Sequence, residues 1–342
     1  MTNHPIKINW DSLGFDIVET KSMYTAQCKQ KGQWESGSLV PFGNISLSPA
    51  AGVLNYGQGA FEGMKAYRTS KNRVVLFRPE MNAKRFAQSL KRLCMPEIEI
   101  DYFLNAVIET VKDNIDYIPP YGRGSLYIRP IVWGTAPTLG VKPASQYTFV
   151  VYVSPVGPYF KGGVKALNLQ VTSDYQRAAP KGIGNVKAIG NYSASLFPLS
   201  LAKKNGFDEV VYLNAENEKL VEEVGSANLF SIRENGLKTP QLAGSILPGI
   251  TRHSVLKAAK DILGLDVQET ALTLDELLSS DEVFCTGTAV VVTPVGKITY
   301  NRKVHVINQN QMGSVTEKLR KTLLGIQREE IEDRFGWLHE VK

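Results

Sequence analysis

The chain has 342 residues, 43% of them hydrophobic and 21% charged, which excludes wholesale disorder and makes two domains the expectation for its length. A net charge of +6 and a pI near 9.0 could attract anions, but the basic residues form no long run, so nucleic-acid binding finds little support. Cys28, Cys94 and Cys285 are too far apart for a disulfide scaffold or a Cys-rich zinc site, and no apolar run approaches the ~20 residues of a membrane span.

Near the N-terminus, Asp11, Asp16 and Glu19 fit neither a signal peptide nor an Arg-rich transit peptide, and the expected location is the reducing cytoplasm. Strand-like sequence covers 14–25, 63–68 and 74–78. A helix is predicted over 79–94, where Phe86, Leu90 and Leu93 recur at helical spacing. A second is predicted over 101–113, with Phe103, Val107 and Val111 on one face. The β-prone runs 125–133 and 147–154 follow, and Pro130 predicts an edge position or a bulge for the first.

Glycines and a proline crowd Gly157-Pro158-Tyr159-Phe160-Lys161-Gly162-Gly163 and predict an interdomain connection. The boundaries expected are an N-terminal domain over 1–158, a loop over 159–166 and a C-terminal domain over 167–342. Strands are predicted over 166–173 and 209–213, and a hairpin from 228–234 through a type I′ turn at Asn235-Gly236. Helices are predicted over 193–205, despite Pro198, and over 249–263 and 314–327, the last with a Ser314-x-x-Glu317 capping box. The class is mixed, α/β or α+β, with strands too irregularly spaced for a doubly wound sheet.

Several motifs are excluded. Gly182-x-Gly184-x-x-Lys187 has lysine where a dinucleotide fingerprint needs its third glycine. His4, His253, His305 and His339 are isolated, and neither a zinc motif nor a nucleophile elbow occurs, so no metal is expected.

What remains is a set of segments that make chemical sense together. Lys187 lies in a small, uncharged surround before a helix. An ordinary lysine is a surface charge, but desolvation would leave this one neutral and nucleophilic, as a Schiff base requires. In Val221-Glu222-Glu223-Val224-Gly225-Ser226-Ala227-Asn228, a glutamate is either solvent-facing or paired with a protonated ring nitrogen. Leu247-Pro248-Gly249-Ile250-Thr251-Arg252 either caps a helix or holds a phosphate on the Ile250 and Thr251 amides. Thr286-Gly287-Thr288-Ala289 follows a strand and can present amides and a hydroxyl to an anion.

These segments resemble fold-type IV pyridoxal-phosphate enzymes, specifically the branched-chain amino acid aminotransferases, over nearly the whole chain from about Phe15. The strongest marks are Tyr56-Gly57-x-x-x-Phe61-Glu62-Gly63, Leu126-Tyr127-Ile128-Arg129-Pro130, Ser154-Pro155-Val156-Gly157-Pro158-Tyr159, Lys187-x-x-Gly190-Asn191-Tyr192, Glu223-x-Gly225-x-x-Asn228-Leu229-Phe230 and Leu247-Pro248-Gly249-x-Thr251-Arg252. The resemblance implies a smaller N-terminal α/β domain and a larger C-terminal domain with a barrel-like sheet. It implies reversible amino transfer between leucine, isoleucine or valine and 2-oxoglutarate, in ping-pong order through pyridoxamine phosphate.

Roles follow from the resemblance. Lys187 would hold pyridoxal 5'-phosphate through a Schiff base and shuttle the substrate proton. Tyr192 would bond the phenolic oxygen, and Glu223 would keep the pyridine nitrogen protonated. Arg85, Ile250, Thr251 and Thr288 would bind the phosphate, with Ser226 and Asn228 also at the cofactor. Tyr56 and the Thr288 and Ala289 amides would take the substrate carboxylate, and Phe15, Phe61, Tyr127 and Tyr159 would wall the side-chain pocket. Arg129 would partner the second carboxylate of glutamate. Leu139 and Val141 resemble a loop that closes a partner subunit's site, implying a homodimer with small-molecule partners and no nucleic-acid or membrane partner. Mammalian relatives carry a Cys-x-x-Cys pair where Val290 and Thr293 stand, so a thiol switch there is not expected. The alternatives are a D-amino acid aminotransferase or an aminodeoxychorismate lyase of the same fold, and a non-enzymatic anion- or nucleic-acid-binding protein.

Overall fold

The structure is a computed structural model that describes residues 8–29, 32–157 and 164–342. The chain forms two compact units rather than two halves divided by a single cut. The first comprises Met1–Lys161, Lys187–Gly190 and Gly325–Lys342; the second comprises Gly162–Val186 and Asn191–Leu324. With these returns the first unit holds more of the chain than the second. Tyr159, and residues 159–163 of the expected interdomain loop, lie outside the described residues.

In chain order the first unit has β1 (Ser22–Cys28), β2 (Ser38–Pro41), α1 (Gly52–Tyr56), β3 (Gly59–Phe61), β4 (Met64–Arg68), β5 (Val74–Phe77), α2 (Pro79–Arg92), α3 (Ile100–Asp113), β6 (Ser125–Gly134) and β7 (Tyr147–Val156). Pro79 opens α2, where its missing N–H has no intrahelical partner to lose. Ala83, Phe86 and Leu90 then bury one face of that helix. Phe86 meets Phe103 of α3 and Phe149 of β7 at centroid distances of 5.4 and 6.0 Å. Each such buried ring contributes roughly 1.5–3 kcal/mol. On β6, Leu126 and Ile128 point into this core while Tyr127 and Arg129 stay half-buried on the other face.

The second unit has β8 (Leu167–Thr172), α4 (Gly190–Ser193), α5 (Leu196–Lys204), β9 (Glu209–Leu213), β10 (Val221–Val224), β11 (Ala227–Arg233), β12 (Gly236–Pro240), α6 (Ile250–Asp261), β13 (Asp266–Thr270), α7 (Leu274–Leu278), β14 (Glu282–Gly287), β15 (Val291–Tyr300), β16 (Lys303–Val306) and α8 (Ser314–Gln327). Pairing runs β10-β9-β8-β15-β14-β11, and β10 also pairs with β11, so six strands close into a barrel. Leu169, Val211, Leu229, Val283 and Val295 fill its interior. The strand β17 (Leu338–Glu340) pairs with β5, which is why the C-terminal segment belongs to the first unit.

Several expectations require correction. The first strand begins at Ser22, not near residue 14. Strand β6 is central, between β4 and β7, so Pro130 marks no edge. One flank of β6 pairs with β4 up to Ile128 and with β3 from Ile131, and Pro130 falls in the interruption between them. There its carbonyl accepts the Glu62 N–H at 2.8 Å. Pro198 sits in the first turn of α5, where proline is tolerated. The hairpin joining β11 to β12 turns on Glu234-Asn235, one residue earlier than predicted, with positive φ at Glu234.

The expected capping box of α8 is replaced by a residue from another strand. Glu282 accepts hydrogen bonds from the Val315 N–H at 3.0 Å, the Thr316 N–H at 2.8 Å and the Thr316 hydroxyl at 2.6 Å. A Cβ on Gly313 would collide with that carboxylate, so glycine is required there. Glu317 pairs instead with Lys321 on the exposed face. Glu282→Ala is therefore expected to cost roughly 1.5–3 kcal/mol, because it strands buried donors. Glu317→Ala is expected to cost no more than about 0.5 kcal/mol, as an exposed i,i+4 pair. Urea midpoints of the two variants against wild type check the contrast.

Candidate active site

The predicted residues divide between the two units. In the first unit, Lys187 sits on a short segment beside β3. The Phe61 N–H donates to the Lys187 carbonyl at 3.1 Å, Ile189 N–H to the Gly59 carbonyl at 3.1 Å, and Ala60 bridges Ala188. Lys187 N–H donates to Ser89 Oγ at 3.2 Å. These bonds deliver the half-buried lysine with its ammonium 4.6 Å from the centroid of the Phe61 ring.

Of the residues predicted as a side-chain wall, Phe15, Phe61 and Tyr127 come together, while Tyr159 lies outside the described residues. Phe15 meets Tyr127 edge-on at 5.2 Å between centroids, and the Arg129 guanidinium lies 4.5 Å from the Phe61 ring centroid and 5.2 Å from that of Tyr127. Arg129 Nη2 donates to the Tyr127 hydroxyl at 3.1 Å. A Cβ on Gly63 would lie 2.2 Å from that hydroxyl, so the glycine keeps Tyr127 in place. Tyr56 donates its hydroxyl to the Leu139 carbonyl, joining the residue predicted for carboxylate binding to the predicted subunit loop. Leu139 and Val141 are 92% and 87% exposed.

Arg85 is locked to Glu62, which is 0% exposed: Nε to Oε1 at 2.7 Å and Nη2 to Oε2 at 2.8 Å. Asn82 adds a 2.7 Å bond to Oε2. Burial alone would raise the Glu62 carboxyl's pKa. The charge and hydrogen bonds of Arg85, the charge of Lys187 and the Asn82 amide hold it below the usual carboxylate range. A bidentate partner fixes the guanidinium plane, so Arg85 is oriented before it meets any anion.

In the second unit, Tyr192, Glu223 and Ser226 line one small cavity with Arg177, Asn191, Ser195, Gly225 and Leu247. Glu223 is 3% exposed. Its Oε2 meets Arg177 Nη2 at 2.6 Å, and its Oε1 accepts from Asn228 Nδ2 at 2.7 Å. Asn228 also donates to the Leu247 carbonyl at 3.0 Å, so it ties the glutamate to the turn before α6. A Cβ on Gly249 would lie 2.0 Å from Asn228 Oδ1, which explains the glycine at that turn. Ile250 and Thr251 open α6, where first-turn amides have no helical acceptor and favour an anion. Thr288 and Ala289 occupy the turn after β14, and Val291 closes it at a φ of 57°, which is costly for a β-branched residue.

Sequence reasoning missed Arg177, Glu62, Asn82 and Ser89. Glu62 stood inside a recognised motif without a role; the other three have no local signal, because each acts on a residue distant in sequence.

Comparisons with known proteins show the family. The class IV amino-transferase family matches residues 59–298. The chloroplastic branched-chain-amino-acid aminotransferase 3 of Arabidopsis thaliana is 48% identical over 331 residues, covering 96% of this chain and 80% of that protein. The chain belongs to the branched-chain amino acid aminotransferases of class IV. The mitochondrial branched-chain amino acid aminotransferase 1 of Humulus lupulus is 48% identical over 338 residues, 98% of this chain and 85% of that protein. A solved T.th. branched-chain amino acid aminotransferase, complexed with N-(5'-phosphopyridoxyl)-L-glutamate, superposes with a TM-score of 0.81 at 32% identity, covering 95% of this chain and all of that one.

The cofactor of this aminotransferase is pyridoxal 5'-phosphate. The residues fit it chemically: a buried carboxylate balanced by Arg177 suits a ring N–H, and a helix start with open amides suits a phosphate. The expectation of a cytoplasmic protein is contradicted by the comparisons, in which relatives at 48% identity are named chloroplastic or mitochondrial.

Proposed function

We propose that this enzyme exchanges amino groups between leucine, isoleucine or valine and 2-oxoglutarate, in ping-pong order; its relatives are named branched-chain amino acid aminotransferases. The observation that carries the reading is the aromatic wall with a single guanidinium set in it: Phe15, Phe61 and Tyr127 around Arg129. The rings offer an apolar surface to an aliphatic side chain, and Arg129 offers a charge-assisted partner to the second carboxylate of glutamate. With leucine present, the guanidinium keeps its bond to the Tyr127 hydroxyl and its contacts with the rings.

When bound, the cofactor supplies an electron sink for the charge left at the substrate's Cα. Lys187 would carry the cofactor and move the Cα proton through its Nζ. Glu223 would accept the hydrogen bond of the protonated ring nitrogen, with Arg177 and Asn228 fixing the carboxylate in both directions. Tyr192 would donate to the phenolic oxygen. In the second unit, Ile250, Thr251 and Thr288 would hold the phosphate, with Ser226 also at the cofactor, and Thr288 and Ala289 would offer amides to the substrate's α-carboxylate. In the first unit, Arg85, oriented by Glu62, and Tyr56 are the candidate anion-binding groups. The near-complete exposure of Leu139 and Val141 supports a homodimer in which this loop is covered by a second copy of the chain.

Arg129→Met is expected to harm the glutamate half-reaction selectively, because it removes the carboxylate's partner and leaves an apolar wall. A lost charge-assisted hydrogen bond costs ~1.5–3 kcal/mol, or ~10- to 150-fold in glutamate specificity. Single-turnover rates with leucine and with glutamate, measured separately, provide the test. Equal losses for both would assign Arg129 to the structure of the wall and remove the basis of the dual-substrate reading.

A further inference from the structure

The second unit buries two carboxylates side by side, and only one of them lines the cavity with Tyr192. Glu222, like Glu223, is 3% exposed. Period-two alternation would send one of the pair to each face, but the register against β9 shifts between Val221 and Val224. Both of those valines pack into the barrel core, and both glutamates reach the loop before α6. Glu222 Oε1 accepts from Ser245 Oγ at 2.5 Å and from Asn214 Nδ2 at 2.9 Å. Its Oε2 is buried with no hydrogen-bond partner among the described residues, whose polar contacts with this side chain pass through Oε1.

Ser245 is the other half of the connection. Its backbone carbonyl accepts a hydrogen bond from Arg177 Nη2, the same nitrogen that meets Glu223 Oε2 at 2.6 Å. Arg177 Nη2 also lies 3.3 Å from the Gly184 carbonyl. A Cβ on Gly184 would lie 2.1 Å from the Ser245 carbonyl oxygen, so glycine there is what admits this approach. The contacts run from Glu222 to Ser245, from Ser245 to Arg177 and from Arg177 to Glu223.

We infer that Glu222 is a positioning residue: it pins Ser245, whose carbonyl sets the Arg177 guanidinium, which in turn aims Glu223 at the ring nitrogen of the cofactor. The inference rests on the reading of Glu223 given above. Carrying a buried, charged group with one idle oxygen is costly, and the return is a loop held from its side-chain hydroxyl as well as from its main chain. Arg177 has no other fixed support at Nε, which is also buried without a hydrogen-bond partner. Small displacements of Ser245 therefore reach Glu223 directly.

The test uses the full chain reconstituted with pyridoxal 5'-phosphate, in the variants Glu222→Ala, Ser245→Ala, Glu222→Gln and Glu223→Gln. Misplacing a reacting group through a remote contact costs up to about 100-fold, and Glu222→Ala and Ser245→Ala are expected to lower kcat by roughly 10- to 100-fold with KM for leucine near its wild-type value. A spectroscopic readout accompanies it: the pH midpoint of the bound cofactor's visible absorbance is expected to rise in both, because a less fully protonated ring nitrogen withdraws less charge. Glu222→Gln keeps an oxygen for Ser245 and Asn214 and is expected to restore both readouts. Ser245→Ala removes a single hydroxyl, so it carries the test if Glu222→Ala fails to fold. A wild-type midpoint and kcat in Glu222→Ala or Ser245→Ala, beside a crippled Glu223→Gln, would overturn the inference alone. Glu222→Gln as damaging as Glu222→Ala would also overturn it, since the effect would then be charge and not position. If Glu223→Gln itself leaves kcat and midpoint unchanged, the reading of Glu223 fails first.

Discussion

Replacing Lys187 with alanine is expected to abolish transamination while leaving the fold in place. The backbone bonds that seat this residue, to Ser89 Oγ and from the Phe61 N–H, do not involve its side chain and survive the change. What is lost in stability is the contact of the ammonium with the Phe61 ring, worth about 0.5–1 kcal/mol. What is lost in chemistry is larger. On the proposed reading the same nitrogen would be the point of covalent attachment and the carrier of the Cα proton, and general acid–base catalysis alone contributes roughly 10²–10⁴-fold. Because Ile250, Thr251 and Arg85 remain, the variant should still hold some cofactor without a covalent bond. Borohydride reduction of the wild type followed by peptide mapping locates the attachment, and label on any other lysine would refute the role.

Much of this arrangement is legible in the sequence, and the parts that are not share a physical reason. Helices α2 and α8 announce themselves because Phe86 and Leu90, and Leu319 and Ile326, repeat at the helical period and are all buried. Strand β6 reads correctly because Tyr127 and Arg129 alternate with Leu126 and Ile128. Strand β10 has two glutamates at its centre, yet it is buried and pairs with β11 to close the barrel. Its polar pair is buried only because Arg177, Asn228, Ser245 and Asn214 arrive from elsewhere in the chain. The same holds for Glu62: its motif is visible, but the need for Arg85 and Asn82 around it appears only once α2 lies beside β3 and β4. Local pattern reports what a segment does to itself, and the ionic part of this site is made of distant partners.

That distinction sharpens the choice between the two adjacent glutamates. Strand alternation alone suggests that one faces the cofactor and the other faces away, but the bulge buries both, so burial cannot choose. The partners can. Glu223 lines the cavity with Tyr192 and balances the buried cation Arg177, whereas Glu222 meets only neutral donors. Glu223→Gln therefore does two things. On the proposed reading it removes the charge that would keep the ring nitrogen protonated, and it breaks a buried ion pair. The amide has one oxygen for two fixed donors, Arg177 Nη2 and Asn228 Nδ2, so its own N–H groups must oppose one of them. Breaking a buried pair costs about 3–5 kcal/mol, and a loss of that size in the transition state corresponds to roughly 10²- to 10³-fold or more in kcat. Cofactor affinity should fall less, since the open amides at the start of α6, proposed to hold the phosphate, are untouched. The measurement is kcat with leucine and 2-oxoglutarate together with cofactor dissociation from the same preparation. A mild Glu223→Gln beside a crippling Glu222→Gln would move the ring-nitrogen contact to Glu222 and place the bulge one residue away from where its partners put it.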